Sequence, residues 1–142
     1  MAFENSALVG SWKLISFQTI VENELPREEF GAHPNGYAIF TRGGRAMVVM
    51  SAQDRKGGTS DAEAAALLRS LIAYSGKYHC TDDEMIAVLD VSWTESLNGS
   101  EQRRTFRMEG NRLFLESAPQ PHWVEPSKTF IARVVWEREE RF

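Results

Sequence analysis

Gln102 and Arg104 are the residues whose type and spacing most plainly invite chemistry. They sit in the stretch SEQRRTFRMEGNRLFLESA, residues 100–118. Written as an extended strand, one face carries Gln102, Arg104, Phe106 and Met108, and the other carries Arg103, Thr105, Arg107 and Glu109. The second face is wholly polar, so the first is expected to look inward. An inward arginine cannot shed its proton and offers five donors in a rigid fork, so it demands partners. With the Gln102 amide beside it, such a group could hold a carboxylate, carbonyl or phenolate on an otherwise apolar molecule. The competing reading is a self-contained rim pair. In it Trp93 supplies a cation–π face and Glu95 a counter-charge, with little effect on stability.

Other candidates are sparser. His33 and His122 fall in loops expected to overhang the same site and could act as general bases near neutral pH, although neither sits beside a recognisable nucleophile. His79 points outward by alternation. Tyr37, Tyr74 and Tyr78 are expected to line the interior, with Tyr37 or Tyr74 as candidate proton donors. No histidine pair has i, i+2 or i, i+4 spacing, and no cysteine or carboxylate cluster accompanies them, so no metal site is expected. Neither a G-x-S-x-G elbow, a phosphate loop nor a dinucleotide fingerprint occurs, and no cofactor is expected. Cys80, the one cysteine, reads as inert packing.

The elements that must position these residues are strands. Runs at 11–21, 36–41, 45–51, 73–80, 85–93, 102–108, 112–117 and 129–138 alternate with turn signals. They predict an all-β, eight-stranded up-and-down antiparallel barrel. One helix is expected between the third and fourth strands. Ser60 and Glu63 would form its capping box, and Ala64, Leu67, Leu68, Leu71 and Ile72 its apolar stripe. It would pack outside the sheet or act as a lid.

Tight turns set the faces. Gly110-Asn111 as a two-residue loop pairs Met108 with Leu113, Phe106 with Leu115 and Arg104 with Ser117. Asn98-Gly99 as another sets Glu95 beside Gln102, Trp93 beside Arg104 and Val91 beside Phe106. Asp82-Asp83 carries the inner face to Cys80, Tyr78, Gly76 and Tyr74. On the last strand Phe130, Ala132, Val134, Trp136 and Arg138 share one face. The second and third strands are apolar on both sides, which leaves their parity open. Gly43-Gly44 favours Tyr37, Ile39, Thr41, Ala46, Val48 and Met50 as inner. Phe40, Met47 and Val49 would then need cover from the helix or from the second subunit of a homodimer. Sorted by height, an apolar floor lies below a mouth of Tyr37, Met50, Tyr74, Trp93, Glu95, Gln102, Arg104 and Ser117, the arrangement of a cup for one small ligand.

Composition bounds the partners. The chain has 142 residues, ordinary for one domain over 1–142, and a net charge of −4. That charge argues against nucleic acid or an anionic membrane, both of which need a basic footprint. There is no apolar run of spanning length and no secretory pattern at the N-terminus, and a lone cysteine fits a cytoplasmic location.

Gly10-Ser11-Trp12 matches the lipocalin G-x-W signature, with Arg138 placed to cover the tryptophan. Together with LVGSWKLISF, HPNGYAIFTRGGRAMV, AYSGKYH, QRRTFRMEGNRLFL and VVWER, the chain resembles the bacterial and fungal lipocalin-like domain family. The resemblance implies an up-and-down barrel with a cavity, structural roles for Trp12, Trp136 and Arg138, and a Q-x-R met by Gln102 and Arg104. A histidine often found on the family's fifth strand is replaced here by Ala87-Val88, so no acid–base role carries over from it. The reading that follows is a barrel binding a small hydrophobic or aromatic metabolite. The alternative is a cofactor-free isomerase, cyclase or lyase on a polyketide- or aromatic-type substrate. A third is a barrel packed shut by Trp93, Phe106 and Met50, whose apolar outer faces serve oligomerisation.

Overall fold

A computed structural model of the chain describes residues 7–142; the opening residues 1–6, where no leader is expected, lie outside the described part. The strands are β1 (Gly10–Val21), β2 (Asn35–Phe40), β3 (Arg45–Ser51), β4 (Leu71–Cys80), β5 (Glu84–Ser92), β6 (Glu101–Glu109), β7 (Arg112–Ser117), β8 (Gln120–Pro121) and β9 (Thr129–Glu140). Each long strand pairs antiparallel with the next, and β9 returns to β1 to close an eight-stranded up-and-down barrel. The two-residue β8 is an annex on β9. Helix α1 (Asp61–Arg69) lies between β3 and β4, with the expected Ser60–Glu63 capping box. Leu71 and Ile72, read as its last turn, instead begin β4.

Alternation builds the core. Two bulges between β1 and β9 bend the first strand and switch its inner set from Trp12 and Leu14 to Phe17, Thr19 and Val21. Gly10 is required here. Its φ is +138°, and a Cβ would stand 2.3 Å from the Glu140 carbonyl oxygen. Directly after it, Trp12 is fully buried and donates Nε1 to the Leu8 carbonyl at 2.9 Å. Arg138 lies over the indole, 4.2 Å from its centroid, and donates to the carbonyls of Val9 and Ala7 at 2.8 and 2.9 Å. Trp12 and Arg138 thereby close the end of the barrel that carries the short turns. At the same end Tyr78 donates to the Thr41 carbonyl at 2.8 Å, and burial pushes its phenol well above the ordinary tyrosine range. All the long connections, 22–34, 52–70, 93–100 and 118–128, gather at the other end.

The Gly110-Asn111 register is as expected, with Met108, Phe106 and Arg104 opposite Leu113, Leu115 and Ser117. Two other turns differ. Thr41 and Arg45 close a three-residue loop, Arg42-Gly43-Gly44, with Gly44 at φ +95° in place of a two-residue turn. One extra residue turns β2 over. Phe40 pairs with Ala46 and Ala38 with Val48, so Gly36, Ala38 and Phe40 face inward while Tyr37 and Ile39 face out. The inner set Ala46, Val48 and Met50 on β3 stands. The exposed apolar block on the outer wall is therefore Tyr37, Ile39, Met47 and Val49, with Phe40 buried inside.

Asn98-Gly99 does not close a two-residue hairpin. β5 leaves β6 after Leu89, follows β4 to Ser92, and enters a one-turn 3₁₀ helix at Glu95–Leu97. Arg104 pairs with Met85, eight residues before Trp93, and Gln102 pairs with Ala87. Because the slip is even, Met85, Ala87 and Leu89 remain inner. A bulge opposite Ser75 and Gly76 then turns Val91 outward, where it is 63% exposed.

Candidate functional site

Inside the barrel is a cavity of about 500 Å³ that opens toward the end with the long connections. Its walls are apolar side chains from nearly every strand, among them Phe17, Phe40, Val48, Met50, Met85, Leu115, Phe130 and Val134, with Trp136 included. Trp136 is only 2% exposed, and its Nε1–H has no hydrogen-bond partner among the described residues. A volume of this size lies within the range of small-molecule sites, and side chains do not pack it shut. At the mouth stand Leu68 and Arg69 of α1, Thr94, Ser96 and Leu97 of the 3₁₀ turn, and Gln120 to Trp123 of the last long loop. Helix α1 contributes no buried residue, yet it borders the opening as a lid would.

Gln102 and Arg104 both line this cavity, half-buried. A short relay orients them. Arg104 Nη2 donates to Gln102 Oε1 at 3.3 Å, Gln102 Nε2 donates to Ser100 Oγ at 2.8 Å, and Ser100 Oγ donates to the Leu97 carbonyl at 2.6 Å. Arg104 Nη1 donates to the Arg103 carbonyl at 2.9 Å. The rim pair with Glu95 does not form. Glu95 is exposed on the 3₁₀ turn and accepts from Asn98 Nδ2 at 3.0 Å, because β5 and β6 separate below it. For the same reason Trp93 lines the cavity without being the cross-strand neighbour of Arg104, and Arg104 sits deeper than the mouth, opposite Met85.

The remaining candidates divide. Met50, Tyr74 and Trp93 border the cavity. Tyr37 does not: the three-residue loop puts it on the outer wall, 51% exposed. Phe106 is inner by register and packs on the core beyond the cavity, and Tyr78 is a core residue. His33 is exposed on the loop before β2, away from the cavity lining, and its backbone N–H donates to Gln53 Oε1 at 2.7 Å. His79 is exposed, as expected.

His122 lies at the mouth as expected, and the unforeseen feature is the latch it forms. The ring borders the cavity yet is only 1% exposed, stacked on Trp123 at 4.1 Å and edge-on to Phe130. Its Nδ1 accepts from the backbone N–H groups of Val124 and Glu125 at 3.1 and 3.2 Å, which leaves the proton on Nε2. Nε2 then donates to the Glu29 carboxylate, 2.8 and 2.9 Å from its two oxygens, and Thr19 Oγ1 donates to Glu29 Oε2 as well. Around this latch Arg27 joins Glu125 and Glu24, each at 2.7 Å, and Lys128 bridges the same two acids at 3.3 Å. Hydrogen bonding to Arg27 holds Glu125 below the usual carboxylate range. Together these contacts fasten the 118–128 loop to the segment before β2. Trp123 lies 6.1 Å from both Phe17 and Phe30 and donates to the Arg69 carbonyl at 3.2 Å, bridging the loop to α1. Both nitrogens of His122 are engaged, so the ring is placed to hold the loop.

Glu29, His122 and Glu125 bring ligand atoms within 4.8 Å of one another, a spacing a metal ion could use. Arg27 Nη1 already stands 2.7 Å from Glu125 and 3.7 Å from Glu29, so a cationic group occupies that place. The latch left little trace in the sequence, since Glu29 and His122 lie 93 residues apart. The one local cue is a His-Trp pair set between prolines in PQPHWVEP.

Comparison with known proteins agrees with the geometry. The family described as "Lipocalin-like domain" matches residues 9–139, from the residue before Gly10 to one residue short of the end of β9. No curated protein matches the chain.

Proposed function

Because this chain belongs to the lipocalin-like domain family, we propose that it binds one small, largely apolar molecule inside the barrel. Arg104 and Gln102 would orient the polar end of that molecule. The observation that carries this reading is the hollow itself. It offers about 500 Å³ of mostly apolar wall, with a guanidinium and an amide held beside each other on one side. Ligand sites of this kind combine an apolar body with a few placed polar groups. Trp93, Tyr74 and Met50 would contact the ligand near the mouth, and Trp136 from within. The sequence holds a single cysteine, which permits no internal disulfide and accords with a reducing compartment, so a cytoplasmic location is part of the proposal. No helix among the described residues is long and apolar enough to cross a membrane. Of the two loop histidines considered as bases for an enzymatic reading, His33 lies away from the cavity lining and His122 is fully engaged.

Filling the hollow tests the proposal. Ala132 is buried on β9 and lines the cavity, so Ala132→Trp adds an indole to empty space at modest strain. The neutral probe N-phenyl-1-naphthylamine should brighten on titration into the wild-type protein. Its affinity should fall by about tenfold or more in the variant, an apolar contact loss of roughly 1.4 kcal/mol. Equal affinity in a folded Ala132→Trp protein would place the probe elsewhere and remove the proposal.

A further inference from the structure

Resting on that reading, we infer that the molecule held in the cavity is an organic anion, with its negative group at Arg104. The argument comes from the distribution of charge. The chain has more acids than bases, 20 against 16, yet the cavity is lined by two arginines, Arg104 and Arg69, and by no aspartate or glutamate among the described residues. The contrast is sharpest along β6. Arg103, facing out, holds Glu101 at 2.8 Å and Glu84 at 3.3 Å, and Arg107, also facing out, pairs with Glu109. Arg104, between them and facing in, has among the described residues only the neutral oxygens of Gln102 and the Arg103 backbone within bonding distance.

Those two bonds use two of five N–H donors and supply no counter-charge. The acid closest in sequence logic, Glu95, is turned away on the 3₁₀ helix. Glu29, which reaches His122 of the lining, is engaged by that ring and by Thr19. A guanidinium facing a low-dielectric hollow without a carboxylate attracts an anion far more strongly than a surface arginine does. A fork of donors suits a planar or tetrahedral oxyanion, and the apolar walls require that the rest of the molecule be hydrocarbon or aromatic. Arg69, at the mouth on α1, adds a second positive charge along the way in. The class is therefore amphipathic monoanions: carboxylates, sulfonates or enolates carried on a hydrophobic body. A neutral terpene or a cationic amine is disfavoured.

A matched pair of probes separates this inference from the binding proposal beneath it. 1-Anilinonaphthalene-8-sulfonate and N-phenyl-1-naphthylamine share one ring system and differ by a sulfonate. Wild-type protein should bind the anion at least tenfold more tightly. In Arg104→Met the ratio of the two affinities should drop by tenfold or more, and in Arg104→Lys, which keeps the charge, most of the preference should return. Thermal unfolding checks that each variant is folded, and Arg104→Lys keeps the test decisive if Arg104→Met is not. A neutral probe that binds while the ratio is near one, or is unmoved by losing the Arg104 charge, overturns the inference and leaves the cavity proposal standing. Failure of the neutral probe to bind wild-type protein overturns both.

Discussion

Trp12→Ala should remove about 3–5 kcal/mol of stability, the range for deleting a fully buried large aromatic side chain. Against a total of about 5–15 kcal/mol for a domain, that is enough to leave a large unfolded fraction at moderate temperature. The indole is the plug at the short-turn end of the barrel. Its loss vacates space between the first and last strands, removes the Nε1–H bond to Leu8, and takes away the surface under Arg138. Arg138→Ala should cost less, about 1–3 kcal/mol, since the plug remains and only two backbone hydrogen bonds and the cation–π contact go. Urea unfolding of both variants checks the order. A Trp12→Ala protein within 1 kcal/mol of wild type would mean that the closed end is held by something other than this stack.

His122→Ala should cost about 2–4 kcal/mol, through orphaned hydrogen-bonding groups more than through lost volume. Two backbone donors, those of Val124 and Glu125, lose their acceptor, and the Glu29 carboxylate loses its Nε2–H partner in a partly buried site. His122→Phe separates the two contributions. It preserves a ring between Trp123 and Phe130 but satisfies none of those polar groups, so most of the loss should persist. The surrounding ion pairs are partly solvent-exposed and are expected to add little. Near-UV circular dichroism should also weaken in the alanine variant, because Trp123 loses the ring it is stacked on. If His122→Phe restores full stability, the histidine is only packing and the latch does not exist.

Much of the fold could be read before any coordinates. Gly110-Asn111 is the clean case: a two-residue loop with Gly110 at φ +60°, between strands of unambiguous polarity, fixes both faces at once. Asp82-Asp83 and the polar–apolar alternation of 129–138 work the same way. Gly43-Gly44 fails for a physical reason. A glycine pair is compatible with two-residue and three-residue loops alike, and β2 is apolar on both sides, so nothing in its composition says which is taken. One residue of difference moved Tyr37 from a supposed cavity wall to the outer surface. Asn98-Gly99 fails differently. Gly99 does take a positive φ, +84°, but it terminates a 3₁₀ excursion that no strand pattern announces. The slip there was even, which is why Arg104 kept its inward direction while its supposed partner Glu95 did not. The latch was out of reach because its parts come from separate loops and acquire meaning only when the barrel brings them together.

The central claim, that a small apolar molecule enters the hollow, can be read from the methionines. Met50 and Met85 line the cavity, whereas Met47 is half-exposed on the outer face of the same strand as Met50. With ¹³C-methyl methionine labelling and N-phenyl-1-naphthylamine as ligand, the Met50 and Met85 methyl resonances should shift and show contacts to the naphthyl protons, with Met47 unmoved. A response confined to Met47, with Met50 and Met85 silent, would put the ligand on the outside of the barrel and contradict the account.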